Sequence, residues 1–192
     1  MHNKFVIAIS AMVAIMVSPV YAQTPAAQPP GTSSAAPASQ QNPVTKTQQI
    51  NDWILTCRKV DASQQGVQSC EIVQTVIVNG QKAPFAQIAI GKPKAEMPIQ
   101  ITVLVPQNVS FPSVVKVMVD DKDKSPTELA WARCLPVGCF ANANLKDDVQ
   151  KKLSALETQG RVIFKAGNGQ DIVMPISFKG LKGALEALAK EK

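Results

Sequence analysis

The chain has 192 residues, of which 45% are hydrophobic and 5% aromatic, and its formal net charge is +6 at pH 7. This length suffices for one domain that buries about two thirds of its unfolded surface. Because the basic residues are scattered and few aromatic residues accompany them, the composition excludes a nucleic-acid binder and indicates a solvated basic surface with weak attraction to anionic surfaces.

Residues 1–22 have the composition of a secretory signal peptide. Lys4 precedes an apolar stretch over residues 5–17, and Val20-Tyr21-Ala22 places small residues at the two cleavage positions. The stretch is shorter than the ~20 apolar residues that span a bilayer, so no transmembrane segment is expected after cleavage. The mature chain is therefore expected in the periplasm or at the cell surface, where disulfides persist.

Cleavage would also remove His2, the only histidine of the chain. Without an imidazole the mature protein cannot assemble a Ser-His-Asp or Cys-His catalytic group, a histidine-ligated metal site or a histidine pH switch. Carboxylate and Ser-Lys chemistry stay open on paper. The sequence therefore predicts a protein that is not an enzyme, with no catalytic residues, no cofactor and no metal.

Residues 23–50 are predicted to be a disordered linker. Residues 23–49 consist almost entirely of Pro, Ala, Gln, Ser and Thr, and Val44 is their only branched aliphatic residue. Such a segment buries too little apolar surface to offset the entropy of ordering it. We expect a spacer, or a stalk that holds the folded domain away from a membrane or wall.

Residues 51–192 are predicted to form a single β-rich domain. Short apolar runs, several with period-2 alternation, are separated by turn-forming Asn, Gly and Pro residues, and this pattern is typical of antiparallel strands. The predicted strands are 52–59, 68–78, 84–90, 99–105, 114–119, 127–134, 161–165 and 171–178. Many short strands favour an antiparallel β-sandwich or a partly closed barrel.

Two short helices are predicted within this domain. The first begins at Asn144 as a capping residue and ends at Gly160, with an apolar stripe of Leu145, Val149, Leu153 and Leu156. The second covers residues 181–190 at the C-terminus, and its apolar stripe is Leu181, Ala184, Leu185 and Leu188. A helix of ~10 residues is marginal alone, so the second must dock on the domain.

The four cysteines are predicted to form two local disulfides. A hairpin centred on Ser63-Gln64 would place Cys57 directly opposite Cys70, with Trp53 packed against the bridge. Cys134 and Cys139 close the short loop Leu135-Pro136-Val137-Gly138. Four cysteines permit three pairings, of which local pairing is the simplest. A redox-active pair and a thiolate metal site are alternatives that the spacing does not favour.

The two disulfide loops are also the predicted partner-binding loops. Each is held rigid by its bridge, and loops at one end of a sandwich are common binding sites. The candidate contact residues are Arg58 and Lys59 in the first loop, and Leu135 and Val137 in the second.

The order of these features resembles the invasion-associated locus B family of secreted bacterial proteins. The resemblance extends over residues 51–188. The matching elements are Asp52-Trp53-Ile54-Leu55-Thr56-Cys57, Cys70-Glu71-Ile72, the strand end 103–106, the segment 134–141 from Cys134 to Ala141, and the segment 174–181 followed by Ala184-Leu185.

The resemblance implies a small β-rich domain in the periplasm or on the surface of Gram-negative bacteria, and it supplies no catalytic residues. The family name records an association with entry into host cells. We therefore expect a secreted, non-catalytic binding protein whose partner is a component of the envelope or of a host surface. The alternative is an envelope maintenance or stress protein that acts on peptidoglycan or outer-membrane components, enzymatically or not.

Overall fold

The structure is a computed structural model that describes residues 43–59, 68–78, 80, 84–94 and 96–191. The predicted signal peptide, the linker up to residue 42 and the turn 60–67 lie outside these residues. In chain order the described elements are β1 (Val44–Ile50), β2 (Trp53–Lys59), β3 (Gln68–Val76), β4 (Ala86–Gly91), β5 (Gln100–Val105), β6 (Val115–Met118), β7 (Thr127–Leu135), β8 (Gly138–Asn144), α1 (Asp147–Ser154), β9 (Gln159–Lys165), β10 (Asp171–Ser177) and α2 (Leu181–Lys190).

The strands form one antiparallel sheet in the order β1-β2-β3-β4-β5-β8-β7-β6-β9-β10. The sheet is not closed into a barrel, but it folds back so that β10 packs against β3. The predicted class, a mainly β antiparallel fold with two short helices of which the last is C-terminal, is confirmed. The bounds of α2 agree with the predicted residues 181–190.

The period-2 alternation of the sequence becomes an alternation between core and surface. Ile101, Val103 and Val105 on β5 are at most 1% exposed, and the residues between them are only partly buried. Burying one such aliphatic side chain contributes about 1.5–3 kcal/mol relative to leaving it exposed. One face of the sheet therefore lines the core, and we call the opposite face the outer face.

Helix α2 closes the core and is amphipathic, as its sequence predicts. Leu181, Ala184 and Leu185 are buried in the same cluster as Trp53 and Phe178. Neither α1 nor α2, nor any other helix in the described ranges, is long and apolar enough to cross a membrane.

Strand β1 corrects the predicted linker boundary at residue 50. Residues 44–50 pair along β2, from Val44 opposite Arg58 to Ile50 opposite Trp53. All of its side chains are exposed except the half-buried Ile50. A strand held by backbone hydrogen bonds and not by apolar burial has no hydrophobic pattern, so composition alone does not reveal it.

Strand β8 corrects the predicted start of the first helix. Asn144, the predicted capping residue, is the last residue of β8 and pairs with Gln100, whose Nε2 donates to its Oδ1 at 3.0 Å. Helix α1 begins at Asp147 instead, and the preceding Lys146 makes no side-chain capping bond. Gly160 lies in β9 and does not end the helix, because α1 already ends at Ser154.

Gln74 joins strand β3 to strand β10, where the folded sheet meets itself. Its side chain is 8% exposed and lies where β10 meets β3. The Ser177 N–H donates to Gln74 Oε1 at 2.7 Å, and Gln74 Nε2 donates to the carbonyl oxygens of Ser177 at 3.1 Å and Asp52 at 3.3 Å. The Trp53 indole N–H also donates to the Ser177 carbonyl at 3.1 Å. A side-chain amide thus takes the place of a strand partner where β3 meets β10, a junction that we call the seam.

Candidate functional site

The β2–β3 hairpin carries the first disulfide. The register places Cys57 opposite Cys70, as the symmetry of the predicted hairpin requires, and the two sulfurs are bonded. Trp53 and Cys57 are both fully buried members of the core, and Cys70 packs against it. Arg58 and Lys59 follow Cys57 at the exposed end of β2.

The Glu191 carboxylate lies beside this bridge, with Oε2 3.9 Å from Cys57 Sγ, and Glu191 forms an ion pair with Lys46. Cys57, Cys70 and Glu191 form a cluster whose potential metal-ligand atoms lie within 4.8 Å of one another. Because both sulfurs are bonded to each other, they offer no thiolate, and a metal ion requires deprotonated, unbonded cysteines. The residues do not fit a metal site in this oxidised state.

The β7–β8 hairpin carries the second disulfide, between Cys134 and Cys139, as predicted. Two further features constrain the geometry of its tip. Gly138 has φ +140°, and a Cβ there would overlap the Val105 carbonyl. Gln107 Nε2 donates to the Leu135 carbonyl at 2.9 Å. On this tip Leu135 is 42% exposed and Val137 is 71% exposed, so both candidate residues are available for contact.

The two disulfide hairpins lie at opposite ends of the strands, which corrects the predicted single binding end. In strand register, Cys139 lies level with Val105, Ala86 and Val76. Val76 is six residues along β3 from Cys70, which corresponds to about 20 Å at ~3.3 Å per residue. The structure therefore brings Leu135 and Val137 together but separates them from Arg58 and Lys59.

Two further exposed residues, Ile77 and Val78, lie at the same end as Leu135 and Val137. They directly follow Val76 on β3 and are 62% and 41% exposed. We call these four residues the apolar end. The sequence contains a signal for Ile77 and Val78, since they end a predicted apolar strand. Only the register shows that this strand end lies at the same end of the sheet as the β7–β8 tip, three strand spacings from β8. At the opposite end of the sheet, the Lys59 N–H donates to the Pro43 carbonyl just before β1.

The outer face holds a groove that the sequence analysis did not identify. Its volume is about 430 Å³, and it crosses strands β3, β4, β5, β8 and β7. Glu71 lies at its β3 side, and Arg133 lies at its β7 side. Burial raises the pKa of Glu71 above its ordinary value, and the nearby Arg58 charge lowers it in part. We call this hollow the outer-face groove.

A second hollow of about 420 Å³ lies at the seam between β3 and β10. There the Ser177 hydroxyl donates to Asp52 Oδ2 at 2.6 Å. Its other polar lining comes from neutral amides and a hydroxyl, namely Gln49, Asn51, Gln74, Thr75 and Gln159. The described lining contains no lysine and no carboxylate besides Asp52, and the Ser177–Asp52 hydrogen bond links β10 to the residue before β2.

Comparison with known proteins gives one family and one fold. The family model described as "Invasion associated locus B (IalB) protein" matches residues 53–189. The crystal structure of invasion associated protein B from Bartonella henselae is similar, with a TM-score of 0.62 and 18% identity, and the match covers 76% of this chain and 95% of that one. At this identity the likeness shows the fold alone. No curated protein matches the chain.

Proposed function

Because the chain belongs to the invasion-associated locus B family, we propose that it is a secreted, non-catalytic binding protein of the bacterial periplasm or cell surface. Its partner is a component of the envelope or of a host surface, and interaction with host cells is the role that the family name suggests. The observation that supports this proposal is the apolar end, where the aliphatic side chains of Leu135 and Val137 are exposed on a disulfide-closed hairpin.

The physical argument for the apolar end is preorganisation. Leu135 and Val137 are exposed although the chain has a well-formed core in which such side chains are buried elsewhere. A contact residue on a rigid hairpin loses little conformational entropy on binding, so more of its burial energy becomes affinity. Exposed apolar residues grouped on one surface are typical of protein-interaction sites. Ile77 and Val78 add two exposed apolar side chains at the same end of the sheet, three strand spacings from β8.

The proposed location depends on the N-terminal sequence and the cysteines. Residues 1–22 have the pattern of a signal peptide. Both cysteine pairs of the domain are bonded, and structural disulfides are typical of proteins in oxidising compartments.

The test is capture of a partner by purified mature protein from native envelopes and from host-cell surfaces. The double variant Leu135→Ser, Val137→Ser removes two exposed apolar side chains, and Val173→Ser is the matched control, because Val173 is 54% exposed on β10. We expect the double variant to lose capture by about tenfold or more, since interface anchors are worth more than ~1.4 kcal/mol, while the control retains it. Equal capture by all three proteins would refute the apolar end.

Arg58 and Lys59 stay candidate contacts, but at the opposite end of the sheet. Exposed charges at the rim of an interface act mainly on the rate of association and its salt dependence. In the same assay, Arg58→Ala with Lys59→Ala tests whether the partner reaches both ends. Weakened capture that persists at high salt would show a direct contact, and unchanged capture would remove the pair from the site.

The alternative function, action on peptidoglycan or outer-membrane components, is favoured by one observation. The outer-face groove brings Ser69, Glu71 and Lys92 to one hollow, and convergent groups with a perturbed pKa are a feature of active sites. Reproducible turnover of an envelope polymer that is abolished by Glu71→Gln or Lys92→Met would support this function over binding.

A further inference from the structure

The outer-face groove has the shape of a ligand site and not of an ordinary sheet surface. Its floor is made of small side chains on the central strands, including Ala89, Gly91 and Thr102, and its walls include Met97 and Phe140. A volume of about 430 Å³ is within the range of small-molecule sites, ~300–1,000 Å³. Small floor residues between large wall residues are what create the hollow.

Gly91 determines the depth of the groove beside Glu71. The two residues are paired across β3 and β4, and a Cβ on Gly91 would lie 2.9 Å from Glu71 Cβ and 2.9 Å from the Cys70 carbonyl oxygen. A side chain at position 91 would therefore push Glu71 or the disulfide-bonded strand aside. The glycine leaves room for a ligand at the carboxylate.

Glu71 is a half-buried carboxylate on the outer face, where a charged side chain would ordinarily extend into water. It makes no hydrogen bond or ion pair with another described residue, although Arg58 is near enough to influence it. Partial desolvation without a bonded partner is unfavourable for a carboxylate. A cationic ligand group would remove this cost.

The opposite end of the groove is cationic. Arg133 lies with its guanidinium carbon 5.5 Å from the centre of the Phe140 ring, so the side chain is held over an aromatic surface. Arg133 forms no ion pair with another described residue. A guanidinium positioned in this way can bind a carboxylate through two parallel hydrogen bonds.

We propose that the outer-face groove binds a short peptide with free ammonium and carboxylate groups, the ammonium at Glu71 and the carboxylate at Arg133. We choose a ligand with two opposite charges because the groove has a carboxylate at one end and a guanidinium at the other. A ligand with only one charge would leave one of these groups unpaired. The facing side chains of Thr102 and Asn142 on the floor offer hydrogen-bond donors and acceptors to the peptide groups between.

The dimensions agree with a peptide of about four residues. Strands β3 and β7 are four spacings apart in the sheet order, about 19 Å between backbones. Arg133 lies level with Leu104 and Glu71 with Gln100, four residues or about 13 Å along the strands, so the two backbone positions are about 23 Å apart. The Glu71 and Arg133 side chains, with one hydrogen bond at each end, shorten this gap. An extended tetrapeptide spans about 14 Å. The groove and the apolar end share no residue, although Arg133 precedes Leu135 by two residues on β7. Peptide binding and partner capture are measured separately, so the two proposals can fail independently.

The experiment is calorimetric titration of the full mature protein with tetra-alanine, N-acetyl-tetra-alanine and tetra-alanine amide at neutral pH. We expect saturable binding of tetra-alanine, and a loss of about tenfold (~1.4 kcal/mol) when either terminus is blocked. In Glu71→Gln, acetylation should have little further effect, and in Arg133→Gln, amidation should have little further effect, because each variant lacks the group that senses the blocked terminus.

Glu128→Gln is the matched control, since Glu128 is an exposed carboxylate of β7 that pairs with Lys116 and does not line the groove. It should behave as the parent protein. Absence of saturable heat with tetra-alanine up to about 10 mM, well above a millimolar dissociation constant, would overturn the proposal. So would equal affinity for the blocked peptides, or binding of a neutral oligosaccharide that Glu71→Gln does not change.

Discussion

Replacing Gln74 by leucine tests whether a single side-chain amide joins strand β3 to strand β10. The replacement keeps approximately the same volume but removes the three hydrogen bonds to Ser177 and Asp52. Because Gln74 is 8% exposed, water cannot readily take over as the partner of the Ser177 N–H. The loss therefore includes a donor that stays poorly satisfied in the folded state.

The expected size follows from these three bonds. At about 0.5–1.5 kcal/mol net for each, the free energy of unfolding should fall by about 3 kcal/mol, with the unsatisfied N–H adding to the loss and the apolar leucine offsetting part of it. In a domain of this size, 1 kcal/mol corresponds to about 2–4 °C in Tm, so the midpoint should fall by roughly 6–12 °C.

The assay is thermal and urea unfolding of the mature protein, followed by tryptophan fluorescence and circular dichroism. Gln87→Leu is the matched control, because Gln87 is half-buried on the neighbouring strand β4 and makes no side-chain hydrogen bond with a described residue. Its effect should stay within about 0.5 kcal/mol. If Gln74→Leu changes stability no more than Gln87→Leu, the seam does not depend on the amide and the reasoning fails.

Three further outcomes are expected, each measured by unfolding. Gly138→Ala should destabilise the β7–β8 hairpin, because its φ of +140° is strained for alanine and the new Cβ would overlap the Val105 carbonyl; an unchanged Tm would contradict this. Replacing both Cys57 and Cys70 by alanine should lower the free energy of unfolding by about 3 kcal/mol in the loop-entropy model. Replacing both Cys134 and Cys139, which close a shorter loop, should lower it by about 2 kcal/mol, and the reverse order would count against the model. Asp123→Asn should cost about 1–3 kcal/mol near neutral pH, and a pH-independent difference would contradict the charge-based explanation given next.

The pH dependence at Asp123 follows from its surroundings. Burial alone would raise the pKa of Asp123, but hydrogen bonds from the N–H groups of Val119 and Ser125 and from Lys152 outweigh it and hold the pKa below the ordinary value of 3.8. A lowered folded-state pKa means that the carboxylate stabilises the fold above the unfolded-state pKa. This contribution is lost as the pH falls from about 3.8 through the lower folded-state value. The Asp123→Asn difference should shrink over the same range.

Glu71 should show the opposite sign. Burial raises its folded-state pKa above the ordinary value of 4.5, with Arg58 opposing, so the charged form is disfavoured in the folded protein. Its cost to stability appears as the pH rises above 4.5. Glu71→Gln should therefore raise Tm at neutral pH and have little effect below about pH 4. A stabilising change that impairs tetra-alanine binding is the behaviour of a functional residue.

Much of this domain is determined by local sequence pattern. The alternation at Ile101, Val103 and Val105 marks the core face of a strand because successive side chains point to opposite faces. The disulfide between Cys57 and Cys70 follows from the symmetry of one hairpin, and α2 follows from its apolar stripe. Each of these depends on residues that are close in the chain, which is why the sequence alone predicts them.

The sites depend on partners that are distant in the chain. Strand β1 is polar and is held in the sheet by its backbone pairing with β2. Gln74 is buried because its side-chain amide hydrogen-bonds to Ser177, 103 residues away in the chain. Likewise, no local pattern states that β5 pairs with β8, which separates the two disulfide hairpins and spreads the outer-face groove between Glu71 and Arg133. Periodicity tells which face a side chain occupies, whereas strand order and register decide which side chains meet on that face.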